Sequence, residues 1–229
     1  MIGIIGAMQE ELNVILKEVK DLKEIKLRIR TFYTGTISGK EVVVVLAGIG
    51  KVNAGITTSI LLENFDVTSV INIGVAGGQN GVSHKDIVIS KEVLYHDFDV
   101  TKFGKYKIGQ VPGMESLFYA DNTLLELTKN AIEKLNIKYK IGKIATGDQF
   151  IYSKDSITKL NNEYDDVFAI EMEAAGIAHA ATLYKVPFII LRSISDLIDD
   201  ETQDNDFDKF LEEASKNAAL VLKELIEVI

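Results

Sequence analysis

The chain has 229 residues, 47% of them hydrophobic and 26% charged, with two prolines and no cysteine. That length suits one α/β domain over residues 1–229, built around a single sheet, and the composition is that of a globular chain. The 34 Asp and Glu outnumber the 25 Lys and Arg, and a net charge of −9 repels nucleic acid and anionic membranes, while the lack of cysteine excludes disulfides, thiolate metal sites and cysteine nucleophiles.

The N-terminal segment MIGIIGAMQEE has no basic stretch, and its short apolar run is broken by glycine and followed by acid, so no signal peptide is expected. No uncharged apolar run reaches bilayer length, which leaves the cytoplasm as the expected location. Residues 2–5 are too short and too glycine-bounded for a helix and predict a buried strand. Leu12, Ile15, Leu16 and Val19 then fall at i, i+3, i+4 and i+7, one apolar face of a helix starting near Gln9. Ser38-Gly39-Lys40 separates 31–37 from the β-branched run 42–45, a hairpin pattern.

A helix over 52–65 and a strand over 67–73 follow, then a strand over 87–94, a long loop through Pro112, a helix over 122–135 and a strand over 141–146. A helix from about Ser153, a short strand over 167–170, an alanine-rich helix over 173–184 and a strand over 188–191 lead to a final amphipathic helix. Its stripe is Phe207, Phe210, Leu211, Ala214, Ala218, Val221, Leu222 and Leu225. This alternation predicts an α/β fold, a three-layer sandwich with a central, mostly parallel or mixed sheet between helices.

Ligands of such sheets bind beyond the carboxyl ends of the strands. Those positions read Gly6-Ala7-Met8-Gln9-Glu10-Glu11, Gly48-Ile49-Gly50-Lys51, Gly74-Val75-Ala76-Gly77-Gly78, Gly147-Asp148-Gln149-Phe150-Ile151, Glu171-Met172-Glu173 and Arg192-Ser193-Ile194-Ser195-Asp196. Small residues there let backbone approach a ligand, with carboxylates beside them. Neither a GxGxxG nor a GxxxxGK[ST] pattern is complete, so dinucleotide and P-loop readings fall away. Each carboxylate also has a simpler reading. Glu10 and Glu11 suit the first turn of a helix, and Asp196 suits a cap on a following helix. Glu171 and Glu173 together, in an apolar setting, are costly unless each has a partner, and Arg192 is a candidate for one of them. His84, His96 and His179 show no metal spacing, and no metal or cofactor is expected.

The segments GIIGAMQEE, GIGKVNA, INIGVAGG, YHDFDVT, GQVPG, ATGDQFI, IEMEAAGIAH, VPF and RSISD occur in this order along nearly the whole chain. In them the sequence closely resembles the 5′-methylthioadenosine/S-adenosylhomocysteine nucleosidases, a branch of the purine nucleoside phosphorylase superfamily. The resemblance implies a homodimer that takes an adenine thionucleoside and water. It makes Asp196 the acid that protonates N7 of adenine and Glu11 the group that orients and deprotonates the water. Glu173 would hold the ribose hydroxyls with Met172 against the sugar. Phe150 would stack on the base, and the backbone of Ile151 and the loop at Gly77 would recognise or flank the adenosine. Arg192 would support the water or its carboxylates, and Ser195 would stand with Asp196 at the substrate. Met8, Ile49, Val100, Phe103, Pro112 and Phe207 would approach the thioether tail, some of them from a neighbouring chain. Val75 departs from the Ser common at its position, which removes one hydroxyl near the water or ribose.

Leaving adenine gathers negative charge while the sugar becomes cationic, which calls for an acid at one end and carboxylates near the other. An acid that works at neutral pH must hold its proton, and burial is expected to favour protonated Asp196 once substrate is bound. A phosphorylase on the same fold and a non-catalytic nucleoside-binding protein are the alternatives. Mere binding does not need acid and base together, and Glu10 with Glu11 stands where phosphorylases of the superfamily carry a phosphate-binding arginine.

Overall fold

In the computed structural model the described residues are 1–198, 200 and 203–229. The side chains of 203–208, and with them the tail contact expected of Phe207, lie outside the description. The chain runs β1 (Ile2–Gly6), α1 (Gln9–Leu16), β2 (Lys20–Leu27), β3 (Arg30–Ile37), β4 (Lys40–Leu46), α2 (Lys51–Asn64), β5 (Ser69–Gly78), β6 (Ile87–Tyr95) and β7 (Phe118–Tyr119). It continues with α3 (Asn122–Lys134), β8 (Tyr139–Thr146), α4 (Thr158–Glu163), β9 (Val167–Glu171), α5 (Ala174–Tyr184), β10 (Phe188–Leu197) and α6 (Gln203–Val228).

All the strands share one mixed sheet, in the order β2-β3-β4-β1-β5-β9-β8-β6-β10, with β7 on β6. The expected mixed sheet between helices is therefore present. The sheet also curls, because β10 pairs again with β5 and closes β5, β9, β8, β6 and β10 into a ring. Strand length makes this possible. β5 meets β1 through residues 69–72 and β9 at Gly77 and Gly78, while β10 follows its other edge from Val70 to Gly78. Both strands outrun their apolar cores, 67–73 and 188–191, so the glycine segment after Ile73 and the RSISD segment are strand rather than loop. Asp196 accordingly sits at an irregularity of β10, where the register shifts between Ile194 and Asp196, and not at a helix cap.

Side-chain alternation divides the core between two faces. Ile5, Val43, Val45 and Val70 point into a cluster with Ala174, Ile177, Ala178 and Ala181 of α5. Ile4, Val42, Val44, Ile71 and Ile73 point the other way, onto Leu12, Ile15, Leu124, Ile132 and the α6 residues Ala218, Val221, Leu222 and Leu225. Each fully buried Val, Leu or Ile contributes on the order of 1.5–3 kcal/mol. The small residues of α5 let α2 come close: a Cβ on Gly176 would stand 2.6 Å from the Lys51 carbonyl oxygen. Strand β2 was not legible in the sequence. Its KDLKEIKL run is mostly exposed at the sheet edge, where lysines discourage further pairing.

Candidate active site

Strand ends and the loops behind them surround a cavity of about 250 Å³. Ala7 and Met8 reach it from the turn between β1 and α1, Glu11 from the first turn of α1, and Ile49 from the loop after β4. Val75, Ala76 and Gly77 come from the end of β5, and Gln149, Phe150 and Ile151 from the loop after β8. Ile170, Glu171, Met172 and Glu173 come from the end of β9, and Ser195, Asp196 and Ile198 from β10 and just beyond. The carboxyl-end rule thus holds for strands that meet only through the ring.

Glu10 is exposed, but Glu11 is 2% exposed and folds back over the start of its own helix. Its Oε2 accepts from the backbone N–H of Ala7 at 2.7 Å and of Met8 at 3.0 Å, and its Oε1 accepts from Val75 N at 3.3 Å. Burial pushes its pKa up, against the opposing pull of Arg192 and these three N–H groups. Gly74 makes room for the arrangement, since a Cβ there would lie 2.9 Å from Glu11 Oε1 and 3.4 Å from the Arg192 guanidinium carbon. Glu10 fits the simple helix-start reading, while Glu11 caps the helix through the Met8 N–H and is also buried in the cavity wall.

The Glu171/Glu173 pair resolves into two different roles. Glu171 accepts from Arg192 Nη2 at 2.6 Å, from Glu173 N at 3.0 Å, from Ala174 N at 2.8 Å and from the Thr146 hydroxyl. It therefore caps α5 and neutralises the buried arginine. Arg192 also donates from Nη2 to Asn72 Oδ1 at 2.6 Å, and its Nε has no partner among the described residues. Arg192 lies behind the cavity wall and is not among the residues that line it. The expected support of a carboxylate is what it does.

Glu173 is buried and, among the described residues, receives one hydrogen bond, from Gly50 N at 2.8 Å. Burial first, and then the charge of Glu171, push its pKa up to about 8. Gly50 holds φ at 97°, a backbone region in which L side chains are strained, and so its N–H can face the carboxylate. Asp196, 1% exposed, accepts from the Ser195 hydroxyl at 2.6 Å. It lies against Gly77, where a Cβ would stand 3.1 Å from Oδ2.

Of the expected site residues, Met8, Glu11, Ile49, Gly77, Phe150, Ile151, Met172, Glu173, Ser195 and Asp196 share this cavity. Val100, Phe103 and Pro112 do not reach it within the chain. Phe103 is 75% exposed and Pro112 is exposed, both on the segment between β6 and β7. Ala7, Ala76, Gln149, Ile170 and Ile198 line the cavity without having been singled out; the first three stand in the glycine-marked segments, and the other two bore no signal beyond their hydrophobicity. Asn72 and Thr146, which fix Arg192 and Glu171, are interior strand residues that only long-range contacts identify.

Residues 1–227 match the model of the Phosphorylase superfamily. A 5′-methylthioadenosine/S-adenosylhomocysteine nucleosidase of Oceanobacillus iheyensis is 43% identical, over 100% of this chain and 99% of its own. The chain belongs to this nucleosidase family. The family's crystal structures superpose closely. The Neisseria meningitidis nucleosidase in complex with methylthio-immucillin-A has a TM-score of 0.95 at 36% identity, covering 100% of this chain and 99% of its own. The Colwellia psychrerythraea nucleosidase in complex with adenine has a TM-score of 0.93 at 38% identity, covering 98% and 93%. For a member of a nucleosidase family within a phosphorylase superfamily, the groups that line the cavity bear on whether water or phosphate attacks. Its described lining residues include four carboxylates, Glu11, Glu171, Glu173 and Asp196, and neither Lys nor Arg.

Proposed function

We propose that this chain, acting as one domain, hydrolyses the N-glycosidic bond of 5′-methylthioadenosine and S-adenosylhomocysteine, and of 5′-deoxyadenosine, to adenine and the free sugar. The observation that carries this reading is the cavity wall of four carboxylates without a cation. A phosphorylase must collect a phosphate dianion beside the anomeric carbon, and arginine, lysine or free backbone N–H groups do that work. The N–H groups of Ala7, Met8 and Val75 are instead taken by Glu11. With Glu11 ionised, as a base for water must be, like charges ~4 Å apart at a surface-like effective dielectric repel by about 4 kcal/mol, which opposes phosphate and leaves neutral water unaffected. Of the two adjacent acids only Glu11 contributes to this repulsion, because Glu10 faces solvent.

In the proposed reaction Asp196 gives its proton to N7 as the bond from C1′ to N9 breaks, and its electron pair stays with adenine. Glu11 takes a proton from the water that attacks C1′, while Glu173 holds the ribose hydroxyls and offsets the cationic sugar. Phe150 and Ile151 receive the base, and Met172 packs on the sugar. Ile49 at 56% and Phe103 at 75% exposure are apolar surface that a second copy of the chain would cover. A homodimer in which Val100, Phe103 and Pro112 of one protomer close the tail pocket of the other belongs to the same proposal, as does a cytoplasmic location. No helix among the described residues is long and apolar enough to cross a membrane.

The test is adenine release from methylthioadenosine, S-adenosylhomocysteine, 5′-deoxyadenosine and a futalosine-type nucleoside in phosphate-free buffer, with the sugar identified by mass. Free sugar at a rate indifferent to phosphate is expected, with loss of most turnover in Asp196→Asn. A rate that climbs from near zero with added phosphate and yields a sugar phosphate overturns the hydrolase reading, and binding without turnover leaves only a nucleoside-binding protein.

A further inference from the structure

A charged cluster outside the cavity ties two of the loops that form it, after β4 and after β8, to the loop after β6. Lys51, the first residue of α2, makes an ion pair through Nζ with Asp97 Oδ2 and stands 3.6 Å from Asp148 Oδ2. The backbone N–H of Lys51 donates to Asp148 Oδ1 at 2.9 Å, and Asp148 N donates to Asp97 Oδ2 at 2.9 Å. The Lys51 side chain, 22% exposed, also lies over the Tyr95 ring at 5.5 Å. None of Lys51, Asp97 and Asp148 lines the cavity, yet Lys51 and Asp148 are each next to residues that serve it. Gly50, immediately before Lys51, donates to Glu173. Asp148 is followed directly by Gln149, Phe150 and Ile151 in the wall.

The approach is tight at the junction, where a Cβ on Gly50 would lie 3.1 Å from Asp148 Oδ1. On its other side the start of α2 rests against α5 at Gly176. The position of the Gly50 N–H is thus set between α5 and the Asp148 loop, with the Lys51 ammonium as the cross-tie. Three loops from distant parts of the chain are held by one cation and two carboxylates, a geometry in which removing the cation leaves two facing acids.

We propose that Lys51, clasped by Asp97 and Asp148, is a positioning residue that fixes the Gly50 N–H on Glu173 relative to the Phe150–Ile151 platform. It deepens the proposed function and rests on it for the identity of the ligand. A nucleoside has to span both parts, sugar on Glu173 and base on the platform, whereas free adenine engages the platform alone. Loss of the clasp therefore penalises nucleoside turnover and spares adenine binding. Misplacement by about 1 Å at a site of this kind costs up to ~100-fold in rate.

The experiment compares Lys51→Met, Asp97→Asn and Lys51→Arg with the parent chain, by nucleoside turnover, adenine binding by calorimetry and amide hydrogen exchange at Gly50. Lys51→Met is expected to lose ~10-fold or more in kcat/KM, to bind adenine within about 2-fold of the parent, and to lose protection of the Gly50 amide. Asp97→Asn should follow in the same direction, Lys51→Arg should restore most of the loss, and in a Glu173→Gln background the Lys51 effect should largely vanish. Turnover of Lys51→Met within 2-fold of the parent, an equal loss of adenine binding, or unchanged protection at Gly50 overturns the clasp. Gly50 exchange does not depend on turnover. Should the parent release no adenine, the hydrolase reading fails while Gly50 protection still judges the clasp.

Discussion

Glu173 is held in its cavity at an energetic cost that a pH series can measure. Its carboxyl is buried beside Glu171, and its pKa rises from 4.5 to about 8. Glu173→Gln preserves shape and an oxygen for the Gly50 N–H at 2.8 Å, but it cannot ionise. A move of this size corresponds to roughly 5 kcal/mol between the protonation states. Relaxation and water in the cavity reduce what is realised, so about 2 kcal/mol of stabilisation is expected for Glu173→Gln at high pH. The folded value lies above the unfolded one. The stabilising contribution of the wild-type carboxyl is therefore complete below about pH 4.5 and lost as pH rises through about 8. Thermal unfolding of both proteins at about pH 5, 7 and 9 should show the variant gaining on the parent as pH rises, by roughly 4–8 °C at the top for a chain of this size. The same variant should turn over substrate poorly, as expected where a strained functional group is removed. A melting difference that stays constant or shrinks between pH 5 and pH 9 refutes the reasoning.

Two further substitutions probe the other carboxylates. In Glu11→Gln the amide oxygen can keep the Ala7 and Met8 N–H groups, but the NH2 faces the Val75 N–H and the proposed base is lost. Turnover should fall by ~10²- to 10⁴-fold, with binding of a non-hydrolysable adenosine analogue nearly intact; turnover within a few-fold of the parent would reduce Glu11 to a helix-start acid. Gly77→Ala puts a methyl 3.1 Å from Asp196 Oδ2 and 3.4 Å from Ile198 Cγ1. Displacing the proposed acid should cost ~10- to 100-fold in turnover with melting shifted by only a few degrees, and parent-level turnover would show that Asp196 tolerates movement.

The sequence by itself determined the alternation of strands and helices, the two-faced apolar pattern and the loops in which a ligand would sit. These are properties of chain neighbours. Val42 and Val44 part from Val43 and Val45 because adjacent strand residues point to opposite faces, and α6 shows its stripe because a helix repeats every 3.6 residues. The motifs also carried the family and the set of carboxylates, Glu11, Glu173 and Asp196. Only the tertiary structure decided which acids share a cavity and in what state. Adjacent Glu10 and Glu11 look alike in the sequence, yet one is solvated and the other is held by Val75, 64 positions away. Glu171 and Glu173 flank one methionine. Arg192 and Thr146 claim the first, and Gly50, 123 positions away, holds the second. Asp196 reads as a helix cap until the pairing of β10 with β5 sets it inside a strand against Gly77. Burial and partner choice are long-range properties, and burial is what shifts the ionisation of a carboxylate, so the chemistry of this site became legible only when the ring of strands had closed.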